Sequence, residues 1–148
     1  MIMDKIILND EKELLAFAKK LAKKTKPAKE NARVLALSGD LGSGKTTFSQ
    51  AFLQELKVKE QVLSPTFLII KSYKLRGAKF KTAYHIDTYR LENPSEILEL
   101  GLEEILDDPK NIVLIEWAEK VEKYLPKDST WIKFSHYDKG RLLEIDNV

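Results

Sequence analysis

Gly39-Asp40-Leu41-Gly42-Ser43-Gly44-Lys45-Thr46 fits the pattern G-x-x-x-x-G-K-[S/T] without a gap. Each residue type has a chemical reason to be there. The glycines let the backbone turn tightly and aim its N–H groups inward as a nest for an anion. A helix starting near Lys45 adds the positive end of its dipole. The Lys45 ammonium is a mobile point charge that can reach the β- and γ-phosphates of a nucleotide. The Thr46 hydroxyl can ligate Mg²⁺, whose octahedral shell is otherwise mostly water and phosphate oxygen. Thr47 stands where it could bond the α-phosphate. At ordinary residue frequencies, the four fixed positions coincide by accident in roughly a few chains per thousand. The expected ligand is therefore ATP or ADP with Mg²⁺.

Gripping a phosphate chain leaves open where the phosphate goes. Transfer needs carboxylates, and two stand at the ends of strand-like runs. Ile112-Val113-Leu114-Ile115 is wholly apolar and ends in Glu116. An acid at the end of a buried strand beside such a loop holds Mg²⁺ directly or through water. Asp is the usual choice there, and a solvated or salt-bridged acid is the competing reading. Asp87 closes a second run, Phe80–Asp87, among Tyr84, His85, Thr88, Tyr89 and Arg90. It could orient an attacking water, accept its proton, or bind in the metal's outer shell. It could equally cap a turn and pair with Arg90. His85 reads as structural rather than catalytic, and Trp117 as a core anchor rather than a nucleotide contact. Ser64 and Thr66 bracket a proline after the loop's helix. Thr66 is either a switch-like threonine that senses the γ-phosphate or part of a plain turn.

The elements that must carry these residues are legible from pattern. Lys5–Leu8 is a strand candidate, and Asn9 or Asp10 can cap the helix after it. Leu14, Leu15, Ala18, Leu21 and Ala22 recur at helical spacing, and Pro27 ends that stretch. Arg33–Ser38 reads as a buried strand leading into the glycine loop, with a helix from about Lys45 to Leu56. Phe67–Tyr73 and Phe80–Asp87 flank Arg76-Gly77-Ala78 as a hairpin. A helix starts near Pro94–Glu96, interrupted at Gly101. Trp131–His136 and Leu142–Asp146 form a last strand pair around Lys139-Gly140. The sum is an α/β chain of the P-loop NTPase kind. Its central mixed sheet, mostly parallel at the core, is flanked by helices in one domain spanning residues 1–148.

Composition narrows the partners. Against 23 acidic residues stand 25 basic ones, a net charge of +2. This gives no strong electrostatic case for nucleic acid or membrane as an autonomous partner. The denser run Lys19, Lys20, Lys23, Lys24, Lys26, Lys29 reads as an exposed helix face. Without cysteine, disulfides and Cys-based zinc sites are excluded. The expected location is the cytoplasm.

Taken in order and spacing, "GDLGSGKTTF", "SPTF", "HIDTYRL", "LGLEEIL", "IEWAEK", "YLP" and the final "GR" resemble the bacterial tRNA threonylcarbamoyladenosine biosynthesis ATPase family, the TsaE type, over nearly the whole chain. The resemblance implies a small ATPase with slow intrinsic hydrolysis. Such an ATPase works with two partner proteins, homologous to each other, that transfer a threonylcarbamoyl group to the adenosine next to the anticodon. Contact with tRNA is indirect, and the phosphate goes to water. By position, Lys45 contacts the phosphates, Thr46 and Glu116 are the Mg²⁺ ligands, and Asp87 is the catalytic or water-orienting acid. Thr66 is the switch-like threonine, and Trp117 lies beside the site. The base is expected between the start of the first helix, near Asp10–Glu11, and the C-terminal turn near Gly140. The chain has Ser43 where the family commonly has alanine and Thr88 where it commonly has leucine. Neither departure stands at a position with a phosphate or metal role.

A small-molecule kinase is the competing reading. Such enzymes share the loop and the length, but a lid supplies arginines to the transferring phosphate. Here Arg33, Arg76, Arg90 and Arg141 are the only arginines, and they are widely scattered along the sequence.

Overall fold

The computed structural model describes residues 3–58, 69–77 and 79–146. Leu63–Phe67, and with it Thr66, lies outside the described residues, as does Ala78 of the expected hairpin turn.

Within the described residues the strands form one sheet of seven, in the order β1-β7-β6-β2-β5-β4-β3. In chain order these are β1 (Met3–Leu8), β2 (Arg33–Gly39), β3 (Ile70–Lys74), β4 (Thr82–Asp87), β5 (Asn111–Glu116), β6 (Thr130–Tyr137) and β7 (Gly140–Asp146). Strands β6, β2, β5 and β4 run parallel to one another. The outer pairs β1·β7, β6·β7 and β3·β4 are antiparallel. The parallel core is as expected from the apolar runs, because strands covered on both faces need no polar side. Every residue of β5 is buried.

Alternation along the strands divides the core in two. Leu35, Leu37, Ile112 and Leu114 face one layer, whereas Val34, Ala36, Val113 and Ile115 face the other. The first layer holds α1 (Glu11–Lys24) and α2 (Lys45–Glu55). Phe48 of α2 anchors it, with its ring 5.6 Å from Phe134 in an edge-on contact and 5.8 Å from Phe52. The second layer is made by α3 (Glu96–Glu99), α4 (Leu102–Leu106) and a 3₁₀ segment, Ala118–Tyr124. Gly101 separates α3 from α4 with φ 91°, a left-handed conformation.

Both ends of α1 are tied down, which fixes its placement against α2. Asp10 is the cap, its side chain accepting the Glu13 N–H at 2.8 Å. Glu13 reaches back to the Asn9 N–H at 3.2 Å. At the other end Lys79 Nζ donates to the carbonyls of Ala22, Lys23 and Thr25 at 3.2, 3.0 and 3.0 Å. A cation on those carbonyls satisfies orphan acceptors and the negative dipole end together. Lys79 is exposed, so its contribution is small. Lys79→Ala is expected to lower stability by less than about 1 kcal/mol in urea denaturation, with nucleotide affinity unchanged.

Candidate functional site

The carboxyl ends of β2, β5 and β4 lie along one edge of the sheet, since the three strands are parallel neighbours. After β2 the chain builds β3, β4 and β5 on one side of it and later β6 on the other. A crevice outside the carboxyl end of such a strand is where α/β sheets place ligands. A cavity of about 320 Å³ opens there, lined by the loop from Leu41 to Thr47 and by Asp87, Tyr89, Arg90, Glu116, Trp117 and Arg141.

Two glycines shape the loop. Gly39 has φ 133°, and a Cβ on it would come within 2.3 Å of the Phe134 carbonyl oxygen on β6. Gly44 has φ 107° and is the N-cap of α2, with no side-chain cap bond. Its carbonyl accepts the Phe48 N–H at 2.9 Å, the start of the helical ladder. The first N–H groups of a helix have no acceptor within it, so α2 opens with donors facing the cavity mouth.

Lys45 is almost wholly buried, at 4 % exposure. Its ammonium donates to the Gly39 carbonyl at 2.5 Å, the Asp40 carbonyl at 2.9 Å and Ser43 Oγ at 3.4 Å. It also lies 4.1 Å from the centroid of the Trp117 ring. Burial lowers its pKa, against the opposing pull of Glu119, Glu116, Asp87 and Asp40. Among the described residues this cation is held by neutral oxygens and a ring face, and a phosphate would supply an anion in direct contact.

The two acids meet because their strands are in register. Asp87 is paired with Glu116 across β4 and β5. Glu116 is buried, and its Oε1 accepts the Thr46 hydroxyl at 2.6 Å. Two hard oxygens side by side at the loop fit Mg²⁺, which takes one or two protein oxygens and fills its shell with water and phosphate. Among the described residues no group of three or more His, Cys, Asp or Glu is arranged to hold a metal alone. An ion at Thr46 and Glu116 would take the rest of its shell from water and phosphate oxygen. Asp87 is half-buried, and its Oδ1 accepts the Tyr89 N–H at 2.9 Å. Burial raises its pKa and Glu116 adds to the rise, while the Tyr89 hydrogen bond, His85 and Lys45 oppose it.

Residues 8–143 match the family model described as "Threonylcarbamoyl adenosine biosynthesis protein TsaE". The chain belongs to the TsaE family. A TsaE protein of Haemophilus influenzae is 36% identical over 137 residues, covering 92% of this chain and 84% of that one. One from Rickettsia bellii is 41% identical over 149 residues, covering 99% of this chain and 97% of its own length. Both carry the name tRNA threonylcarbamoyladenosine biosynthesis protein. The crystal structure of Bacillus subtilis YdiB superposes with a TM-score of 0.73 at 31% identity, over 97% of this chain and 84% of that one. The fold is that of a P-loop NTPase, as the loop and strand order led us to expect.

Ser43 and Thr88, the two positions set apart in the sequence, bond to groups beside the cavity. Ser43 is buried and contacts the Lys45 ammonium. Thr88, also buried, donates its hydroxyl to the carbonyls of Trp117 at 2.6 Å and Glu116 at 3.1 Å. That clasp ties the end of β4 to the end of β5. It also holds Trp117 in a left-handed conformation, φ 57°, costly for a bulky side chain. Thr88→Val keeps the shape and removes the donor. It is expected to cost about 1–2 kcal/mol in urea denaturation, with Thr88→Ser recovering part of it.

Gly39, Asp40, Glu11 and Gly140 are not among the cavity-lining residues. Gly39 and Asp40 instead hold Lys45 through their carbonyls. Glu11 is exposed in the first turn of α1. Gly140 packs so tightly against Leu8 and Asn9 that a Cβ would lie 2.0 Å from the Leu8 oxygen. It joins the C-terminal turn to the start of α1 for a packing reason. Its neighbour Arg141 is the residue that reaches the cavity, with Nη2 3.5 Å from the Gly42 carbonyl. Arg90 lines the same cavity, so two arginines scattered in sequence meet at one site. Both stood in stretches quoted above, "HIDTYRL" and the final "GR", but nothing local placed the two at one cavity, because the strand order brings Arg141 there. His85 was read as structural; it is buried with Nε2 2.6 Å from Glu116 Oε2.

Proposed function

We propose that this TsaE-family chain binds ATP and hydrolyses it slowly in the service of threonylcarbamoyl modification of tRNA in the cytoplasm. The observation that carries the reading is the register of Asp87 with Glu116 at the mouth of the glycine loop, with Thr46 bonded to Glu116. The loop amides and the end of α2 orient the phosphates, and Lys45 exchanges its carbonyl partners for phosphate oxygens. Thr46 and Glu116 hold Mg²⁺, which neutralises charge on the phosphate oxygens when bound. Asp87 orients a water in line with the γ-phosphorus. As the water oxygen bonds to phosphorus, the bond to the β-phosphate oxygen breaks and ADP leaves. The water proton passes to Asp87 and on to solvent. Positioning and charge neutralisation supply most of the acceleration. In this reading the ATP cycle acts on two mutually homologous partner proteins that carry out the transfer, and tRNA contact is indirect. The small net charge is consistent with that division.

Convergence of Arg90 and Arg141 on the cavity keeps a small-molecule kinase in view, since such enzymes place arginines on the transferring phosphate. Incubation with ATP and Mg²⁺, with and without a metabolite pool, separates the two. Slow release of free phosphate, faster with the partner proteins present, is the expected result. A phosphorylated metabolite would establish the kinase instead.

A further inference from the structure

His85 lies two residues before Asp87 on β4, on the face shared with α1 and α2, and is wholly buried. Its pairing partner across β5 is Leu114, so its ring reaches diagonally to the next residue on that face, Glu116. Nε2 is 2.6 Å from Glu116 Oε2, while the other carboxylate oxygen, Oε1, takes the Thr46 hydroxyl at the same distance. Nδ1 has no hydrogen-bond partner among the described residues. A carboxylate accepts and does not donate, so the proton belongs on Nε2.

We propose that His85 is a positioning residue: its Nε2–H donates to Glu116 Oε2 and fixes the rotation of the carboxylate so that Oε1 faces Thr46. The terminal torsion of a glutamate is broad and roughly two-fold. A partner on one oxygen is therefore what decides where the other points. The opposite assignment, a histidine that only fills core volume, leaves the 2.6 Å contact and the sharing of the two carboxylate oxygens without a purpose. The proposal rests on the reading that Thr46 and Glu116 hold Mg²⁺. Histidine and carboxylate partners behind a metal ligand commonly change metal affinity by about 10–100-fold when removed.

The test is binding of a fluorescent ADP analogue, titrated with Mg²⁺ and repeated in EDTA. His85→Leu keeps apolar volume and loses the donor. His85→Gln places an amide N–H near the position of Nε2. For His85→Leu we expect the Mg²⁺ concentration at half-effect to rise about 10–100-fold, with affinity in EDTA unchanged. His85→Gln should recover most of the shift. A His85→Leu titration that overlays the unsubstituted protein overturns the proposal. Binding by the unsubstituted protein that ignores Mg²⁺ sinks the metal reading itself, and the proposal with it. In the unsubstituted protein, long-range ¹⁵N–¹H correlation should find the ring proton on Nε2, and a proton on Nδ1 alone overturns the assignment whether or not the variants fold.

Discussion

Lys45→Ala is expected to abolish nucleotide binding at ordinary concentrations, a loss of at least about thirtyfold in affinity. The reason lies in what surrounds the ammonium. Lys45 as a residue is 4 % exposed, with its ammonium bonded to the Gly39 and Asp40 carbonyls and seated on the Trp117 ring. In the proposed reading, nucleotide binding replaces these neutral partners by phosphate oxygens inside the cavity. Truncating one member of a buried, hydrogen-bonded charge pair costs about 2–5 kcal/mol, which spans about one and a half to three and a half decades. Alanine also removes a packed stem and could weaken the loop by that route. Lys45→Met keeps the stem and loses only the charge, so it should bind as poorly as alanine while melting near the unsubstituted protein. Calorimetric titration with ATP decides it. Near-normal affinity in Lys45→Met would mean that the loop amides suffice and that the lysine has another task.

Asp87→Asn should separate binding from turnover. Asparagine retains an acceptor for the Tyr89 N–H, so the turn at the end of β4 stays formed. It cannot take a proton. ATP affinity should stay within a few-fold, and hydrolysis should fall by about 10²–10⁴-fold, the range for loss of a general base. Burial, with help from Glu116, holds the Asp87 proton to higher pH than an ordinary carboxylate does. The ionised form is the one that accepts a proton. The pH profile of kcat/KM, which reports the free protein, should therefore decline on the acid side above the pH at which a solvated aspartate titrates. Asp87→Asn should remove that limb along with the activity. An Asp87→Asn protein that hydrolyses ATP at the normal rate would show that the acid serves only the turn.

Both predictions concern residues that were visible in the sequence, and the reason is local. The loop is contiguous, and its chemistry follows from types at fixed spacing. Glu116 and Asp87 advertise themselves as acids closing apolar or alternating runs. The parallel core could be read because β5 is apolar on both faces. What pattern does not carry is register. Nothing in the sequence says that Asp87 pairs with Glu116 rather than a neighbour, yet a slip of one residue would turn it to the opposite face. Arg141 was hidden for a related reason. It reaches the loop only because β7 returns antiparallel beside β6, and β6 lies against β2. Gly140 attracted notice instead, and its tight packing against Leu8 and Asn9 accounts for a glycine there without a ligand. Thr88 and Ser43 looked neutral because their partners are backbone carbonyls and a lysine tip, groups that composition does not locate. The clasp at Thr88 also explains how Trp117 sits over Lys45 although it follows a strand that is core throughout.

The most direct test is a crystal structure with Mg²⁺ and a non-hydrolysable ATP analogue. The β- and γ-phosphates should lie in the nest of residues 39–46, with Lys45 moved from the Gly39 carbonyl onto phosphate oxygen. The ion should touch Thr46 and Glu116, and a water should rest between Asp87 and the γ-phosphorus. An analogue bound elsewhere, or bound in the loop with Asp87 and Glu116 both remote from the γ-phosphate, would contradict the account.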